Sequence, residues 1–534
     1  MKIMAFLLIN LLSSLSFAQS WQSQISGNSS IKNQGVSIKL HNNKQYFAGI
    51  FEDQMDIGIY SLSALTSKDI FLAKADLDGN TEWLISLNGT GSDAVNHIDI
   101  IDDTILVSVN FTDTLFIEND TLSTPHLNAT CIAYFDTLGN YIKSFQPDVY
   151  LATFRDFDID SEGNLILCGQ FFQFFNYGNF SMDVLTGSNF FLMKYNPYSD
   201  SIVWAVNAYG NSSEGAQISL DENDNIYAVG SHNDETVFID TLLYTGSINH
   251  DLFIAKFNSD GQKEWVRTMG GLDECHGFSV ICDDLSNVFI TGDFEGSADL
   301  MGVPYISNGL SDILVAKLSE NGNLIWSKGF GSTDADEGYD LELDQNFDII
   351  LLAEAGMDPS YNGQLLNSYG WNEPLLIKIK NDNAELIWHK RLPATLWTGT
   401  VNASSMSYEN GFIGITGDNR SSITVNGTET FAPNFKDFYT AILGDSLTYY
   451  LGLTANNVDN SILIYPNPAS DFFQINSDYE TERLDIYSLE GILVKKKSFL
   501  SKDQAINVSD LTPGFYLVSI AIKDSIITRK IQIK

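Results

Sequence analysis

DIFLAKADLDGNTEW (69–83), DLFIAKFNSDGQKEW (251–265) and DILVAKLSENGNLIW (312–326) are three copies of one phrase. Each opens on an acid, runs through an apolar stretch to a lysine, turns at a Gly-containing step and restarts on a tryptophan. Looser copies are NFFLMKYNPYSDSIVW (189–204) and EPLLIKIKNDNAELIW (373–388), and degenerate ones are ATCIAYFDTLGNYI (129–142) and DFYTAILGDSLTYY (437–450). The lysine position falls at Lys74, Tyr134, Lys194, Lys256, Lys317, Lys378 and Ile442, so the copies lie 60 to 64 residues apart. A period of this length is the signature of a repeat architecture. A second marker keeps the same phase: short strands ending on a small residue at Gly49, Gly169, Gly230, Gly292 and Gly417, with weaker equivalents at Val109 and Ala353.

Each module reads as strands only. Leu252-Phe253-Ile254-Ala255 is apolar on both alternating faces, which suits a strand covered on both sides. The LDG, SDG and ENG steps supply the Gly and Asn that tight hairpin turns need. A Trp-led strand follows, then a Gly- and acid-rich link such as GGLDECHG (270–277) or GSTDADEG (331–338), a third strand, and the Gly-terminated fourth. Four strands per module, seven times, without helical periodicity, predict an all-β chain: a seven-bladed β-propeller over residues 19–452. An open solenoid is the rival, but it requires polar capping repeats, and neither terminal module differs in that way. Six of the eight tryptophans (21, 83, 204, 265, 326, 388) are assigned to one register, which predicts that one terminal strand completes the other terminal blade.

The chain has 534 residues, 29 Lys+Arg against 68 Asp+Glu, and a formal net charge of −39. Such a balance repels phosphate backbones and anionic lipid surfaces, so nucleic-acid binding is not expected. At 44% hydrophobic and 18% charged it has ample material for a core. Its 4 cysteines and 11 prolines exclude a disulfide framework or a proline-rich protein. Residues 1–18, with Lys2, an apolar run from Ile3 to Leu12 and the small-x-small step Ser16-Phe17-Ala18, read as a secretory signal peptide. The apolar run is shorter than the roughly 20 residues of a membrane span, and no transmembrane segment is expected elsewhere.

The D-x-F-x-A-K-x-x-x-x-G-x-x-x-W and N-x-Y-x-x-G phrases resemble the SBBP-type beta-propeller repeats of bacterial exported proteins, a resemblance that implies fold and not activity. The phrase at 73–83 also resembles the tryptophan motif of quinoprotein dehydrogenases, but their adjacent cysteine pair is missing, and the turns miss the sialidase Asp-box spacing.

After a polar linker (453–462) the repeat stops. Runs LDIYSL (484–489), GILVKKKSF (491–499), FYLVSIAI (515–522) and ITRKIQIK (527–534) alternate as antiparallel strands and predict a small Ig-like β-sandwich at 463–534. YPNPASD (465–471), LDIYSLEG (484–491), LTPGFYLV (511–518) and the terminal KIQIK (530–534) resemble the type A C-terminal sorting domain of type IX secretion. The resemblance implies a sorting signal carried by Pro466, Asn467, Pro468, Gly491, Gly514, Tyr516, Lys530 and Lys534. It further implies handling by the type IX machinery and a sortase-like peptidase of a Bacteroidetes-type bacterium, with delivery to the medium or the outer cell surface.

No catalytic motif is present. None of the histidines, at 41, 97, 126, 232, 250, 276 and 389, lies in a zinc-motif context, so no metal ligand and no cofactor is assigned. Cys275 and Cys282 lie on one strand, too far apart for the roughly 5.5 Å a disulfide needs. Asp76–Asn80 and Asp221–Asn225 offer oxygens for calcium but lack the closing bidentate Glu of a calcium loop. Residues present in every repeat hold repeats together, so a ligand should meet departures from the template. These are Trp371 and Trp397, outside the tryptophan register, and Phe172, Phe174 and Tyr177 in the aromatic run QFFQFFNYGNF (170–180). The expectation is a non-catalytic exported propeller that binds a glycan or a surface protein. The alternative is an extracellular hydrolase or lyase acting on a polysaccharide through paired carboxylates in the channel.

Overall fold

The structure is a computed structural model. It describes residues 20–534 except 30–31, 67, 102, 185–186, 245–248, 367–372, 393–399, 421, 426–427, 432–435, 446–461, 466–468, 470–471, 478–480, 489–492, 501–504, 510, 513 and 523–524. Every regular element among the described residues is a β-strand. Gln19–Asp445 form one compact unit, and the strands beyond residue 445 belong to another.

In the larger unit one antiparallel four-strand set recurs in a propeller-like arrangement. Its first copy comprises Asn33–His41, Lys44–Phe51, Asp69–Asp76 and Thr81–Gly89. Further sets start on Ala94–Ile101, Asp148–Ile159, the C-terminal half of Ser201–Leu220, Cys275–Cys282, Glu337–Leu343 and Val401–Glu409. Some sets are discrete sheets. Others merge, because Ser201–Leu220 is long enough to end one set and begin the next. The last set is completed by Ser20–Ser26, hydrogen-bonded to Asp437–Gly444, so the N-terminal strand supplies the missing edge.

The repeated residues explain themselves in this frame. The third strands are buried on both faces; all eight residues of Asp437–Gly444 and all seven of Glu373–Ile379 are covered. Hydrophobic clusters lie between successive sheets, as where Tyr46, Leu72, Ile98, Val107 and Phe135 meet. Each template tryptophan pairs with the template lysine across the strand pair, Lys74 with Trp83 and Lys317 with Trp326 among them, and a β-bulge follows directly. The indole then donates to a turn of the next repeat: Trp83 to Thr137 O at 3.2 Å, Trp204 to Ser259 O at 3.2 Å, Trp265 to Glu320 O at 3.0 Å and Trp326 to Asn381 O at 3.0 Å.

Trp21 does not belong to that register. The bulge between Trp21 and Ser23 sets Ser23 opposite Ile442, and the Ser23 hydroxyl donates to Leu77 O at 2.6 Å, the bond a tryptophan makes elsewhere. Trp21 instead donates back to Arg391 O at 3.1 Å.

The small residue ending the second strand has a steric cause. It faces a second bulge, on the innermost strand, whose carbonyl leans over it. A Cβ on Gly169 would stand 2.0 Å from Thr153 O, and one on Gly292 1.8 Å from His276 O. Between second and third strands every repeat also inserts a short hairpin, such as Thr114–Ile117 with Asp120–Ser123, which four strands per module did not anticipate.

The C-terminal unit has two antiparallel sheets, Ile462–Tyr465, Phe472–Ser477 and Ala505–Asn507 in one, Leu493–Leu500, Thr481–Ser488, Gly514–Ile522 and Ser525–Ile533 in the other. Phe473, Leu484, Ile486, Ile506, Val518, Ile531 and Ile533 share one buried core.

Candidate functional site

Each innermost strand carries a bulge beside the small residue that ends the second strand, and this bulge decides what lines the central cavity. In each repeat one residue is skipped by the pairing register: Val36, Asn96, Arg155, Ala216, Phe278, Tyr339 and Ser404. All seven border a cavity of about 360 Å³. A smaller pocket of about 310 Å³ at the same place adds Glu214, Ser231 and Gly277. The backbone device is constant while the residue it presents varies, which is the arrangement a binding site on a repeat scaffold requires.

The next residue inward closes a hydrogen-bonded belt. Ser37 Oγ accepts Ile98 N at 3.1 Å, Asp156 Oδ2 accepts Ile218 N at 2.9 Å and Gln217 Oε1 accepts Val280 N at 2.8 Å. Ser279 Oγ accepts Leu341 N at 3.1 Å, Asp340 Oδ2 accepts Met406 N at 2.9 Å, and Ser405 Oγ accepts Ile38 N at 3.4 Å, returning to the first repeat. In the second repeat His97 takes this place, with Nε2 3.2 Å from Asp156 Oδ1. Burial lowers the His97 imidazole to about 4 and raises the Asp156 carboxyl well above the usual range.

Two residues further in, Lys39 bridges Asp99 at 2.8 Å. Burial works against the Lys39 ammonium, but Asp99, Glu342 and Asp158 outweigh it and raise its pKa. Burial pushes Glu342 up to about 8 despite Lys39, and pushes Asp158 and Asp340 up to about 6. Outside the cavity Glu354, whose Oε1 accepts Ala403 N at 2.8 Å, is raised by burial to about 8.

These shifts fix a sign. A carboxyl raised above its unfolded value stabilises the fold fully at low pH and loses that contribution as pH rises through the folded value. The thermal midpoint should therefore climb as pH falls from 9 to 6.5, Glu342 and Glu354 each contributing roughly 1–2 kcal/mol over that window. His97 and His232, both lowered to about 4 by burial, oppose this only below about pH 6.5. Calorimetry at pH 9, 7.5 and 6.5 checks it; a midpoint that is flat or falls refutes the assignment. Glu354→Gln should flatten the profile.

Three of the predicted ligand residues lie elsewhere. Phe174 packs 5.3 Å from the His126 ring and 6.4 Å from Tyr150, Tyr177 donates to Asp200, and Phe172 pairs with Leu151 in the strand ladder. None borders the cavity. Trp371, Trp397, Pro466, Asn467, Pro468 and Gly491 lie outside the described residues. Tyr516 is buried and donates to Thr512 O at 2.8 Å, Gly514 pairs with Ile533, Lys530 pairs with Leu517, and exposed Lys534 donates its backbone N–H to Ala469 O at 2.8 Å. The acidic turns cap themselves: Asp76 accepts Asn80 N at 2.8 Å, and Asp221 accepts Asn223 N and Asn225 N at 2.9 and 3.0 Å. All four cysteines are free.

The bulge residues were missed because no spacing rule announces them. Their signal is the position after Gly35, Gly215, Gly277 and Gly338. The sequence likewise assigned no metal ligands, yet the structure brings His250, Glu274 and His276 together, their ligand atoms all within 4.8 Å.

No curated protein matches the chain in sequence. Among solved structures it resembles a PL25 ulvan lyase (12% identity, TM-score 0.45, covering 82% of this chain and 99% of that one). It also resembles Sqt1 from Chaetomium thermophilum (10%, 0.41, 80% and 100%) and the quinohemoprotein alcohol dehydrogenase from Comamonas testosteroni (7%, 0.39, 84% and 79%). Likenesses this distant carry no functional argument. Residues 463–534 match the family described as "Secretion system C-terminal sorting domain". This segment is a type IX sorting tail, and the chain that carries it is exported to the cell surface or beyond.

Proposed function

We propose that residues 19–452 form a closed ring of seven blades that binds a glycan outside the cell at the mouth of its channel, without chemical turnover. Seven four-strand sets, the completing strand Ser20–Ser26 and the belt that returns from Ser405 to Ile38 support the closed ring. The repeats are of the SBBP type, residues 1–18 direct the first export step, and 463–534 the second.

One observation carries the binding reading. Phe278 and Tyr339, on successive repeats, stack with ring centroids 5.9 Å apart beside the Arg155–Glu214 pair at 3.7 Å. Aromatic faces next to exposed donors and acceptors suit a sugar, whose ring has apolar C–H faces and a polar rim. The volume lies at the small end of ligand pockets. The channel acids Asp156 and Asp340 are occupied by backbone N–H groups of the next repeat, which supports binding over turnover.

The test is binding of the purified protein to a polysaccharide and glycan array. Phe278→Ala and Tyr339→Ala should each weaken a hit at least tenfold, while Phe174→Ala leaves it unchanged; the reverse pattern moves the site to the rim. The second reading, a hydrolase or lyase, is favoured by the raised Glu342, Asp158 and Asp340 in one cavity. Release of new chain ends from a polysaccharide, abolished by Glu342→Gln, would establish it instead.

A further inference from the structure

His250 begins the strand His250–Phe257, Glu274 lies in the link to the next repeat, and His276 sits on the innermost strand Cys275–Cys282. Glu274 Oε2 is 3.0 Å from His250 Nδ1 and 3.5 Å from His276 Nε2. Zinc bonds of about 2.0–2.1 Å to nitrogen and oxygen, set at tetrahedral angles, separate ligand atoms by roughly 3.3 Å. Both distances bracket that value.

The surroundings are those of a metal-binding histidine. The other His276 nitrogen, Nδ1, is 2.9 Å from Oδ1 of buried Asp293, which also accepts His276 N at 3.2 Å. A carboxylate holding one ring nitrogen fixes the tautomer and turns the lone pair of the other outward, here toward Glu274. His276 Nε2 and Glu274 Oε2 stand 3.5 Å apart, close to the separation of two ligands on one zinc ion. One strand over, His232 pairs with Asp251 next to His250. It is fully buried, and neither ring nitrogen has a hydrogen-bond partner among the described residues.

We propose that His250, Glu274 and His276 bind one divalent transition-metal ion, with zinc the best fit, and that Asp293 positions His276 for it. Two imidazoles and a carboxylate select zinc over calcium or magnesium, which take oxygen ligands. Three protein ligands leave a coordination position for water or for a ligand group. His276 stacks on Phe278 at 5.9 Å, so the ion would sit at the edge of the channel mouth. The site stands whether or not a glycan binds there.

The experiment is calorimetric titration of chelator-treated, untagged protein with zinc chloride, and with cobalt chloride followed by absorption spectroscopy. One equivalent of zinc should bind, with a cobalt d–d spectrum of a four- or five-coordinate nitrogen and oxygen site. His250→Ala and His276→Ala should each weaken zinc at least thirtyfold, and Asp293→Asn ten- to a hundredfold. His41→Ala, at a separate exposed site bonded to Asp103, should change nothing. Calcium chloride should not compete. Absence of stoichiometric zinc binding overturns the proposal, as does binding that survives both histidine variants. The cobalt spectrum of the unaltered protein decides the matter if a variant fails to fold.

Discussion

Deleting residues 463–534 will leave a folded repeat unit that never reaches the medium or the outer surface. The tail's buried core draws only on residues from Ala469 to Ile533, and the clusters of the repeat unit lie between Trp21 and Leu443. Each unit therefore has a buried core of its own. A shorter deletion should suffice. Ile531 and Ile533 are 0% and 2% exposed, Ile531 pairs with Tyr516 and Ile533 with Gly514, and Lys534 reaches Ala469. Removing 531–534 opens the sheet and the core together, so it should block export as completely as removing the whole tail. Immunoblots of periplasm, outer membrane and medium check both, and fusing 463–534 to a periplasmic reporter should export the reporter. Normal secretion of either truncation would refute the sorting role.

How much was legible follows from where each residue does its work. Period, strand order and tail motifs could be read because Lys, Gly and Trp do the same job in the repeats that carry them: a cross-strand pair, a carbonyl overhang, a bond to the next turn. Trp21 was misread because a bulge moves the register by a residue, and bulges have no sequence signature of their own. The same blindness hid the cavity-lining positions Phe278 and Tyr339, which the ladder skips. His250 and His276 were overlooked for a different reason. They sit on strands of different repeats, and only packing brings them together. The inserted hairpins escaped because their short strands vary in length and composition. The search for departures from the template followed aromatic density to Phe174 and Tyr177, which pack against His126 and Tyr150 and bond to Asp200, away from the cavity.

Lys378→Ala will destabilise the repeat unit by about 3–5 kcal/mol, the cost of uncovering a buried charge. Its ammonium lies 2.8 Å from Asp344 Oδ2 and 2.5 Å from Asp445 Oδ2, the three side chains being 9%, 2% and 3% exposed. Burial disfavours this ammonium, yet bonds to both carboxylates hold its pKa above the ordinary value. Asp344 also caps its turn through Asp348 N at 2.8 Å, and Asp445 accepts the Trp388 indole at 2.9 Å, so neither acid can swing out to water without breaking another bond. Two other repeats make the same pair, Lys194 with Asp160 at 2.6 Å and Lys317 with Asp283 at 3.9 Å, whereas Lys74 turns to Glu82 and Lys256 to Glu264 and Glu320. Burial already raises the Asp445 carboxyl against the pull of Lys378, and without the cation that effect is unopposed. A carboxyl so raised is protonated at low pH and charged as pH rises, so the deficit of Lys378→Ala should be smaller at pH 5 than at pH 8. Lys380→Ala is the control: that lysine pairs with Glu385 at 2.7 Å, but the two are 47% and 61% exposed, and its loss should leave stability nearly unchanged. Denaturant unfolding of the two variants at both pH values measures the difference; equal, small losses would mean that the buried lysine is solvated and that its recurrence has another cause.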